Sequence, residues 1–410
     1  MRRVAAALVL GLVTASVVAT PVQADPVRDA EYWLDGYGIR SAWATTRGEG
    51  VTIAVIDTGV DGAVPELAGA VVGGADFSGL GSPDGQRPVG SEGREHGTMV
   101  AALAAGRGTN ATDGVIGAAP AASILSLSIG FGEGTTSSDD QIAAAVRYAV
   151  DNGADIINMS LTRNTLDWPE SWDDAFLYAM QNDVVVVAAA GNRGSGTTSV
   201  GAPATMPGVL TVAGLDKQGT ASFDASSQGI TIGVAAPSED LVGVVPGGNH
   251  VQWSGTSGAA PIVAGIVALV RAAHPGLDAA NVINRVVATA REAGSPGADP
   301  LYGFGIVDAA AAVTAQVPAV SANPMGELSE WITIYRRADA TPTPVPTPTF
   351  VPTPAPEAAG PRSPLGTLLP TVEQLRNTGI PALVMLALLV ALVAFTVHAV
   401  QRFRASRGTE

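Results

Sequence analysis

Apolar runs and amphipathic stretches alternate along the middle of this 410-residue chain. Short runs rich in Val, Ile and Ala, typical of buried parallel strands, lie at 51–60, 123–129, 155–160 and 184–190, with shorter candidates at 209–213 and 230–235. Helical stretches lie between them, from His96, at 138–152, at 171–182, after Ser257 and at 278–290. The alternation predicts βαβ units, and therefore an α/β fold with a doubly wound parallel sheet and flanking helices. Residues 61–95, rich in Gly, Pro and Asp, are predicted to be mostly surface loop.

Both ends of the chain carry membrane-directed patterns. Two arginines precede an apolar run at 4–18, and Val22-Gln23-Ala24 forms a small-residue cleavage pattern. Residues 1–24 are therefore predicted to be a removable signal peptide, the alternative being an uncleaved anchor. Near the other end, the apolar run from Ile380 to Val400 is long enough to cross a hydrocarbon core of ~30 Å, and three arginines follow it between 402 and 407. This pattern predicts a single-pass protein of the cell membrane whose main domain is extracytoplasmic.

Proline alternates with Thr, Val and Ala from 341 to 361. This composition favours an extended polyproline conformation, which could hold a domain on the order of 60 Å from its anchor. The predicted segments are a signal peptide (1–24), an N-terminal arm (25–49), a main domain (50–315), a connecting segment (316–340), a Pro-rich linker (341–379), a transmembrane helix (380–400) and a cytoplasmic tail (401–410).

Charge and cysteine content narrow the function classes. The formal net charge of −15 argues against nucleic acid, and against an anionic lipid surface, as the main partner. The chain has no cysteine, so an exported domain must be stabilised by core burial without disulfides.

Three separated stretches supply a nucleophile, a base and a carboxylate. Ser257 lies between small residues at the start of an apolar helix, where its backbone N–H faces the helix N-terminus. His96 opens a helix of small residues, and Asp57 ends a predicted strand, at the edge where open α/β sheets place ligands. Taken singly they could be an N-cap, a capping histidine and a turn aspartate. Taken together they can form an Asp-His-Ser arrangement for acyl transfer.

The chain order Asp, His, Ser resembles that of the subtilase family of serine peptidases. The resemblance extends from Gly48 to about Val313 and rests on motifs at 51–60, 95–103, 114–120, 154–161, 184–192, 254–261 and 302–308. It implies a serine endopeptidase that cleaves proteins or peptides with the triad Asp57, His96 and Ser257. It also implies that the Asn192 side chain and the Ser257 backbone N–H stabilise the oxyanion.

The resemblance further assigns substrate-binding positions to Ser160, Leu161, Thr162, Gly191 and Arg193. Thr162 stands where subtilases usually have glycine, which predicts a narrowed pocket. Arg193 is predicted to lie at the rim of the pocket for the residue before the scissile bond, where it would disfavour Lys and Arg, or else to point to solvent.

Two further positions bear on packing and on metals. Gly258 follows the nucleophile where a larger residue is common, which predicts looser packing beneath Ser257. No spacing of His, Cys and acidic residues suggests a catalytic metal, and no cofactor is expected. Asn110 and Asp113 lie where some subtilases bind structural calcium, so a bound calcium ion at this loop is kept as an alternative.

A signal peptide, a short arm, a proline-rich spacer and a C-terminal membrane helix are together similar to the mycosins, membrane-anchored subtilases associated with type VII secretion. This likeness implies a type VII secretion membrane complex as a partner, although mycosins commonly carry loop cysteines and this chain has none. Residues 25–49 are too few for the separate folding prodomain of many subtilases, and their aromatic residues predict an arm laid over the domain. Three functions compete: an active membrane-anchored endopeptidase, a structural component of a secretion complex, and a general cell-surface protease.

Overall fold

The computed structural model describes residues 25–336 and 380–405, the second range with the side chains of 383–391 and 393–396. The predicted signal peptide, the Pro-rich linker and the last residues of the tail lie outside the described residues. The chain divides into two compact units between Ala340 and Thr341.

A seven-stranded parallel sheet lies at the centre of the first unit, in the order β2-β3-β1-β4-β5-β6-β7. Its strands are β1 (Thr52–Asp57), β2 (Val71–Asp76), β3 (Ser123–Ser128), β4 (Ile156–Met159), β5 (Val185–Ala189), β6 (Leu210–Leu215) and β7 (Ile232–Pro237). The chain adds β2 and β3 on one side of β1 and then continues on the other side with β4. The strand order therefore reverses between β1 and β4, and this topological switch point is where such sheets bind ligands.

The larger helices pack in two groups. These helices are α4 (His96–Ala105), α5 (Ser138–Asp151), α6 (Glu170–Gln181), α7 (Thr256–Ala273) and α8 (Ala279–Ala288). Helix α7 packs against α4 and across β4 to β7, whereas α5 and α6 pack against each other. Helix α7 is apolar on all sides, and every residue from Ala259 to Val270 is buried, so it forms the centre of the core. The predicted α/β doubly wound sheet is confirmed.

The N-terminal arm forms three short helices, α1 (Pro26–Ala30), α2 (Trp33–Gly36) and α3 (Ile39–Ala42). Trp33, Leu34 and Ile39 are fully buried in the main core. The Trp43 indole Nε1–H donates to the Ala118 carbonyl at 2.8 Å. The arm is therefore an integral part of the folded unit.

Three parts of the structure differ from the sequence prediction. Residues 61–95, predicted as mostly loop, contain the edge strand β2, whose glycines weaken the strand signal. A two-stranded antiparallel hairpin of β8 (Leu241–Val244) and β9 (His250–Trp253) precedes α7. Beyond α9 (Ala309–Thr314), the predicted connecting segment packs on the domain through α10 (Leu328–Tyr335), where Trp331 and Trp168 have ring centroids 4.3 Å apart.

The second unit contains one described helix, α11 (Ile380–Ala405). Within it, the described residues include the apolar stretch Leu383–Thr396. Among the described residues, the one helix that is long and apolar enough to cross a membrane is α7, and 78% of it is buried within the protein. It is a core helix.

Candidate active site

The candidate site lies at the carboxyl edge of the sheet, beside the switch point. Asp57 is the last residue of β1, Ser160 follows β4, and Asn192 follows β5 closely. Parallel strands direct their carboxyl ends to one edge, so three distant parts of the sequence meet there. His96 and Ser257 come from the first turns of α4 and α7, which pack against each other.

Asp57 and His96 form a hydrogen-bonded pair in which Asp57 is buried and His96 is partly exposed. Both carboxylate oxygens of Asp57 lie 2.9 Å from His96 Nδ1, and Asp57 is fully buried. The Thr58 backbone N–H donates to Asp57 Oδ1 at 2.7 Å, which fixes the carboxylate. A proton on Nδ1 that is donated to Asp57 leaves Nε2 of the ring as the acceptor, the form that a general base requires.

The electrostatics of this pair favour a protonated imidazole. Burial by itself lowers the pKa of His96, but the charge of Asp57 and the hydrogen bond to it outweigh burial and raise the pKa above its ordinary value of 6.5. The nearby charge of Glu95 acts in the same direction. A raised pKa makes the ring a better proton acceptor at neutral pH.

Ser257 is the second residue of α7, directly after Gly255 and Thr256. Its hydroxyl donates to the Ser160 carbonyl oxygen at 3.2 Å. In the part of the chain that the structure describes, no hydrogen bond joins Ser257 to His96, so the serine side chain must rotate to meet its base. Catalytic hydrogen bonds are often long or misaligned before substrate binds.

Asn192 is oriented by the residue before the nucleophile. Its Oδ1 accepts from the Thr256 backbone N–H at 2.8 Å and from the Thr256 hydroxyl at 2.9 Å. The amide Nδ2 is thereby turned to the other side, where a Cβ on Gly255 would approach it to 3.0 Å. Gly255 also has φ 149°, so a side chain there would strain the backbone as well as crowd the amide. The Nδ2 donor consequently lies beside the start of α7.

The strand-end residues predicted to bind substrate have different environments. The Ser160 hydroxyl donates to the Ser257 carbonyl at 2.9 Å and accepts from the Asn158 amide at 3.0 Å. Leu161 is buried, whereas Thr162 is half-exposed. A Cβ on Gly201 would come within 2.8 Å of Thr162 Oγ1, so the threonine faces the chain segment around Gly201. Ser160 therefore ties β4 to α7 in addition to any contact with substrate.

Gly191 and Arg193, the two predicted substrate-binding residues beside Asn192, lie in different surroundings. Gly191 is buried with φ 98°, and its N–H donates to the Thr256 hydroxyl at 3.1 Å. The Arg193 guanidinium lies 4.6 Å from the centre of the Phe223 ring and 3.4 Å from Gln228 Oε1. Phe223 thus holds the arginine, and its effect on substrate preference stays a prediction.

The prediction of looser packing at Gly258 is wrong. A Cβ at this position would overlap Leu241 Cδ1 and would lie 3.3 Å from both Leu103 Cδ1 and the Trp253 ring. The β8–β9 hairpin and α4 therefore fill the space that a larger residue would occupy. Sequence reasoning missed this because the filling residues come from other elements.

Two threonines of the site were also missed. Thr58 donates its hydroxyl to the Arg94 carbonyl at 3.0 Å and accepts from the Gly97 N–H at 3.0 Å, which ties the end of β1 to the start of α4. Thr256 orients Asn192 as described above. Each is adjacent in sequence to a predicted catalytic residue, and this adjacency is the signal that could have identified them.

The loop considered for calcium closes on itself. The Asn110 amide donates to Asp113 Oδ2 at 2.7 Å, and Asn110 Oδ1 accepts from Thr112 and Asp113. Arg28 of the arm donates to the carbonyl oxygens of Asp113 and Gly114, each at 2.9 Å. The guanidinium therefore takes two carbonyl oxygens that a calcium ion in this loop could otherwise use. No group of three or more His, Cys, Asp or Glu suited to a metal occurs among the described residues.

Comparisons with known proteins identify the family to which this chain belongs. The model of the Subtilase family, peptidase S8, matches residues 48–305. Mycosin-3 of Mycobacterium tuberculosis is 36% identical over 338 residues, which cover 68% of this chain and 70% of that protein. Thermitase of Thermoactinomyces vulgaris is 37% identical over 243 residues, 59% of this chain and 81% of that protein. The solved MycP3 protease from the type VII (ESX-3) secretion system is 32% identical with a TM-score of 0.60, covering 72% of this chain and 91% of the other. The chain belongs to the subtilase family and is a subtilisin-like serine peptidase that resembles the mycosins.

Proposed function

We propose that this chain is an active serine endopeptidase whose triad is Asp57, His96 and Ser257. His96 Nε2 takes the proton of the Ser257 hydroxyl as Oγ bonds to the scissile carbonyl carbon. The same proton then passes to the leaving amine as the C–N bond breaks, and water hydrolyses the acyl-enzyme by the reverse proton path. Asp57 keeps the ring in one tautomer and stabilises the imidazolium.

The developing oxyanion would be stabilised by two donors. One is Asn192 Nδ2, which Thr256 turns toward the start of α7. The other is the Ser257 backbone N–H in the first turn of α7, where the helix dipole also favours negative charge. Both donors are fixed before substrate binds, which is the condition for electrostatic stabilisation of a transition state.

The observation that carries this proposal is the hydrogen-bonded Asp57–His96 pair at the same sheet edge as Ser257 and Asn192. The test is labelling of the full-length protein in detergent with a fluorophosphonate probe. We expect the wild type to be labelled at Ser257, and Ser257→Ala to fold normally without label. Ser254→Ala is a matched control, since this exposed serine lies three residues away and should not affect labelling. An unlabelled, folded wild type would contradict the triad.

We further propose that the peptidase is anchored in the cell membrane with its catalytic unit outside. The support is the apolar stretch within α11, whose described side chains are exposed, and the arginines that follow it. Protease added to intact spheroplasts should remove an epitope in the catalytic unit and spare an epitope at Glu410. Protection of the catalytic unit would reverse this topology.

We propose in addition that this peptidase is associated with type VII secretion. It is supported by the likeness to Mycosin-3 and to the MycP3 protease from a type VII secretion system. A strain with Ser257→Ala should be compared with a strain lacking the gene. Loss of secretion in both would mean that proteolysis is required. Loss only in the deletion strain would favour a structural role in the complex, and normal secretion in both would contradict the link.

We also propose that the 110–114 loop is stabilised by Arg28 without calcium. Arg28→Ala should lower the melting temperature, whereas a chelator should leave that of the wild type unchanged. A large fall on chelation would show that the loop binds a cation after all.

A further inference from the structure

The indole of Trp253 lies against the ring of His96. The two ring centroids are 5.9 Å apart and the ring planes meet at 77°, an edge-to-face contact. Trp253 is the last residue of β9, and it lies four residues before Ser257 along the chain. A residue outside the triad therefore contacts the base directly.

The indole ring of Trp253 packs against two glycines, Gly243 and Gly258. A Cβ on Gly243 of β8 would approach Trp253 Nε1 to 2.9 Å, and a Cβ on Gly258 would approach the far edge of the indole to 3.3 Å. Contacts shorter than about 3.0 Å force a displacement of the ring or the backbone. A side chain on Gly243 would therefore displace the ring, and a side chain on Gly258 would crowd it.

In this position the indole N–H of Trp253 makes no hydrogen bond to the described residues. The Nε1 atom is also buried. Leaving a buried N–H unpaired lowers stability, and such exceptions in native proteins occur preferentially at functional sites. Packing alone would favour a residue without the N–H group, so the indole ring itself has a use here.

The contact supplies a restraint that the carboxylate lacks. Both oxygens of Asp57 lie at the same distance from His96 Nδ1, so the hydrogen bond tolerates a tilt of the ring between them. An aromatic ring packed nearly perpendicular to the imidazole limits that tilt. Because the two rings meet edge to face, the contact also limits rotation of the imidazole away from this position.

We infer that Trp253 is a positioning residue that holds the His96 ring in the orientation that acyl transfer requires. This inference rests on the proposed triad. The charged groups that act on His96 are Asp57 from β1 and Glu95 directly before α4. Trp253 adds an uncharged partner from the hairpin, a third element around the base.

The test uses the full-length protein in detergent and the variants Trp253→Leu, Trp253→Phe and Gln252→Ala. The readouts are the pH dependence of fluorophosphonate labelling and the kcat and KM for a cleavable peptide. The small probe carries no peptide on the leaving-group side, so a residue that only binds substrate would not change its labelling rate. Gln252→Ala is the matched control, because Gln252 is the exposed neighbour on the same strand.

We expect Trp253→Leu to lower kcat and the labelling rate about tenfold with little change in KM, because a ring that is free to tilt is less often aligned for proton transfer. The midpoint of the pH profile should fall, because a tilting ring loses part of the hydrogen bond to Asp57 that raises the pKa of His96. Trp253→Phe should retain most of the activity, and Gln252→Ala should behave as the wild type.

Gly243→Ala tests the contact in a second way, because the added methyl group should push the Trp253 ring away from its present position. It should slow labelling when Trp253 is present and should have little further effect in the Trp253→Leu protein. A raised KM in Trp253→Leu with an unchanged labelling rate and pH midpoint would show a substrate contact and overturn the inference. An unlabelled wild type would instead refute the triad, and the inference with it.

Discussion

Glu31 is a buried carboxyl group in the N-terminal arm, and its ionisation should control the stability of the protein. The side chain is 2% exposed, Oε1 accepts from the Ile116 N–H at 2.8 Å, and Oε2 lies 3.0 Å from Arg28 Nε. The perturbation is Glu31→Gln, which copies the neutral acid in size and removes its charge.

Two effects on Glu31 oppose each other. Burial raises the pKa of Glu31 from 4.5 to about 8, although the hydrogen bond from Ile116 and the charge of Arg28 act to lower it. Burial is the larger effect because the Arg28 guanidinium also binds the carbonyls of Asp113 and Gly114, so it is not devoted to Glu31. A shift of this size corresponds to ~5 kcal/mol between the neutral and ionised forms in the folded protein.

Proton binding to Glu31 determines whether the free energy of unfolding rises or falls with pH. Between pH 4.5 and about 8 the folded protein keeps a proton on Glu31 that the unfolded chain has released. The stabilisation is therefore complete below pH 4.5, and it is lost as the pH rises through the folded pKa. The free energy of unfolding of the wild type should fall by up to ~5 kcal/mol over this range.

The assay is urea unfolding at pH 5 and pH 8.5, with Ser257→Ala in both proteins to prevent self-cleavage. The Gln variant should match the parent at pH 5 and be more stable at pH 8.5, by ~2–5 kcal/mol. Other titrating groups, including His96, are common to both proteins and cancel in the difference. A variant that is less stable at both pH values by the same amount would show that Arg28 keeps Glu31 ionised, and would refute the reasoning.

Three further predictions concern the active site. Asn192→Ala should lower kcat by ~10²–10³ with little change in KM, because it removes one oxyanion donor; a KM effect alone would place the amide elsewhere. The acid limb of kcat/KM should lie above pH 6.5, since the pKa of His96 is raised, and Asp57→Asn should move it lower; an unmoved limb would mean that another group is titrating. Thr162→Gly should shift cleavage toward larger residues before the scissile bond, as read from a peptide library, and an unchanged profile would show that Thr162 does not border that pocket.

The fold could be predicted where its signal is local. Buried strands such as β1 and β5 are continuous β-branched or apolar runs, so their positions follow from the sequence alone. Strand β2 pairs only with β3, contains two glycines and has a register shift between Val71 and Gly73, so neither composition nor alternation indicates it. The β8–β9 hairpin was missed for a related reason, because strands of four residues, one buried throughout and the other mostly exposed, show no alternation of apolar and polar positions.

The site divides in the same way. The identities of Asp57, His96, Asn192 and Ser257 could be proposed because each lies in a recognisable motif at the end of a strand or the start of a helix. Their neighbours could not, since packing across the sequence decides them. Gly258 shows this most clearly: read alone it suggests a cavity, yet Leu241 from β8 occupies that space.

The arm contributes to the folded core and does not block the site. Its hydrogen bonds reach the 113–118 loop, the Glu239 carbonyl through Tyr32, and α9 through the Tyr37 carbonyl. Among the described residues, none of these bonds involves a member of the proposed triad or Asn192. An inhibitory segment must occupy the cleft where substrate binds, whereas this arm buries Trp33 and Leu34 in the core of the domain. Since removal of the arm would expose these core residues, the arm stabilises the fold through core burial, which a chain without cysteine cannot supplement with disulfides.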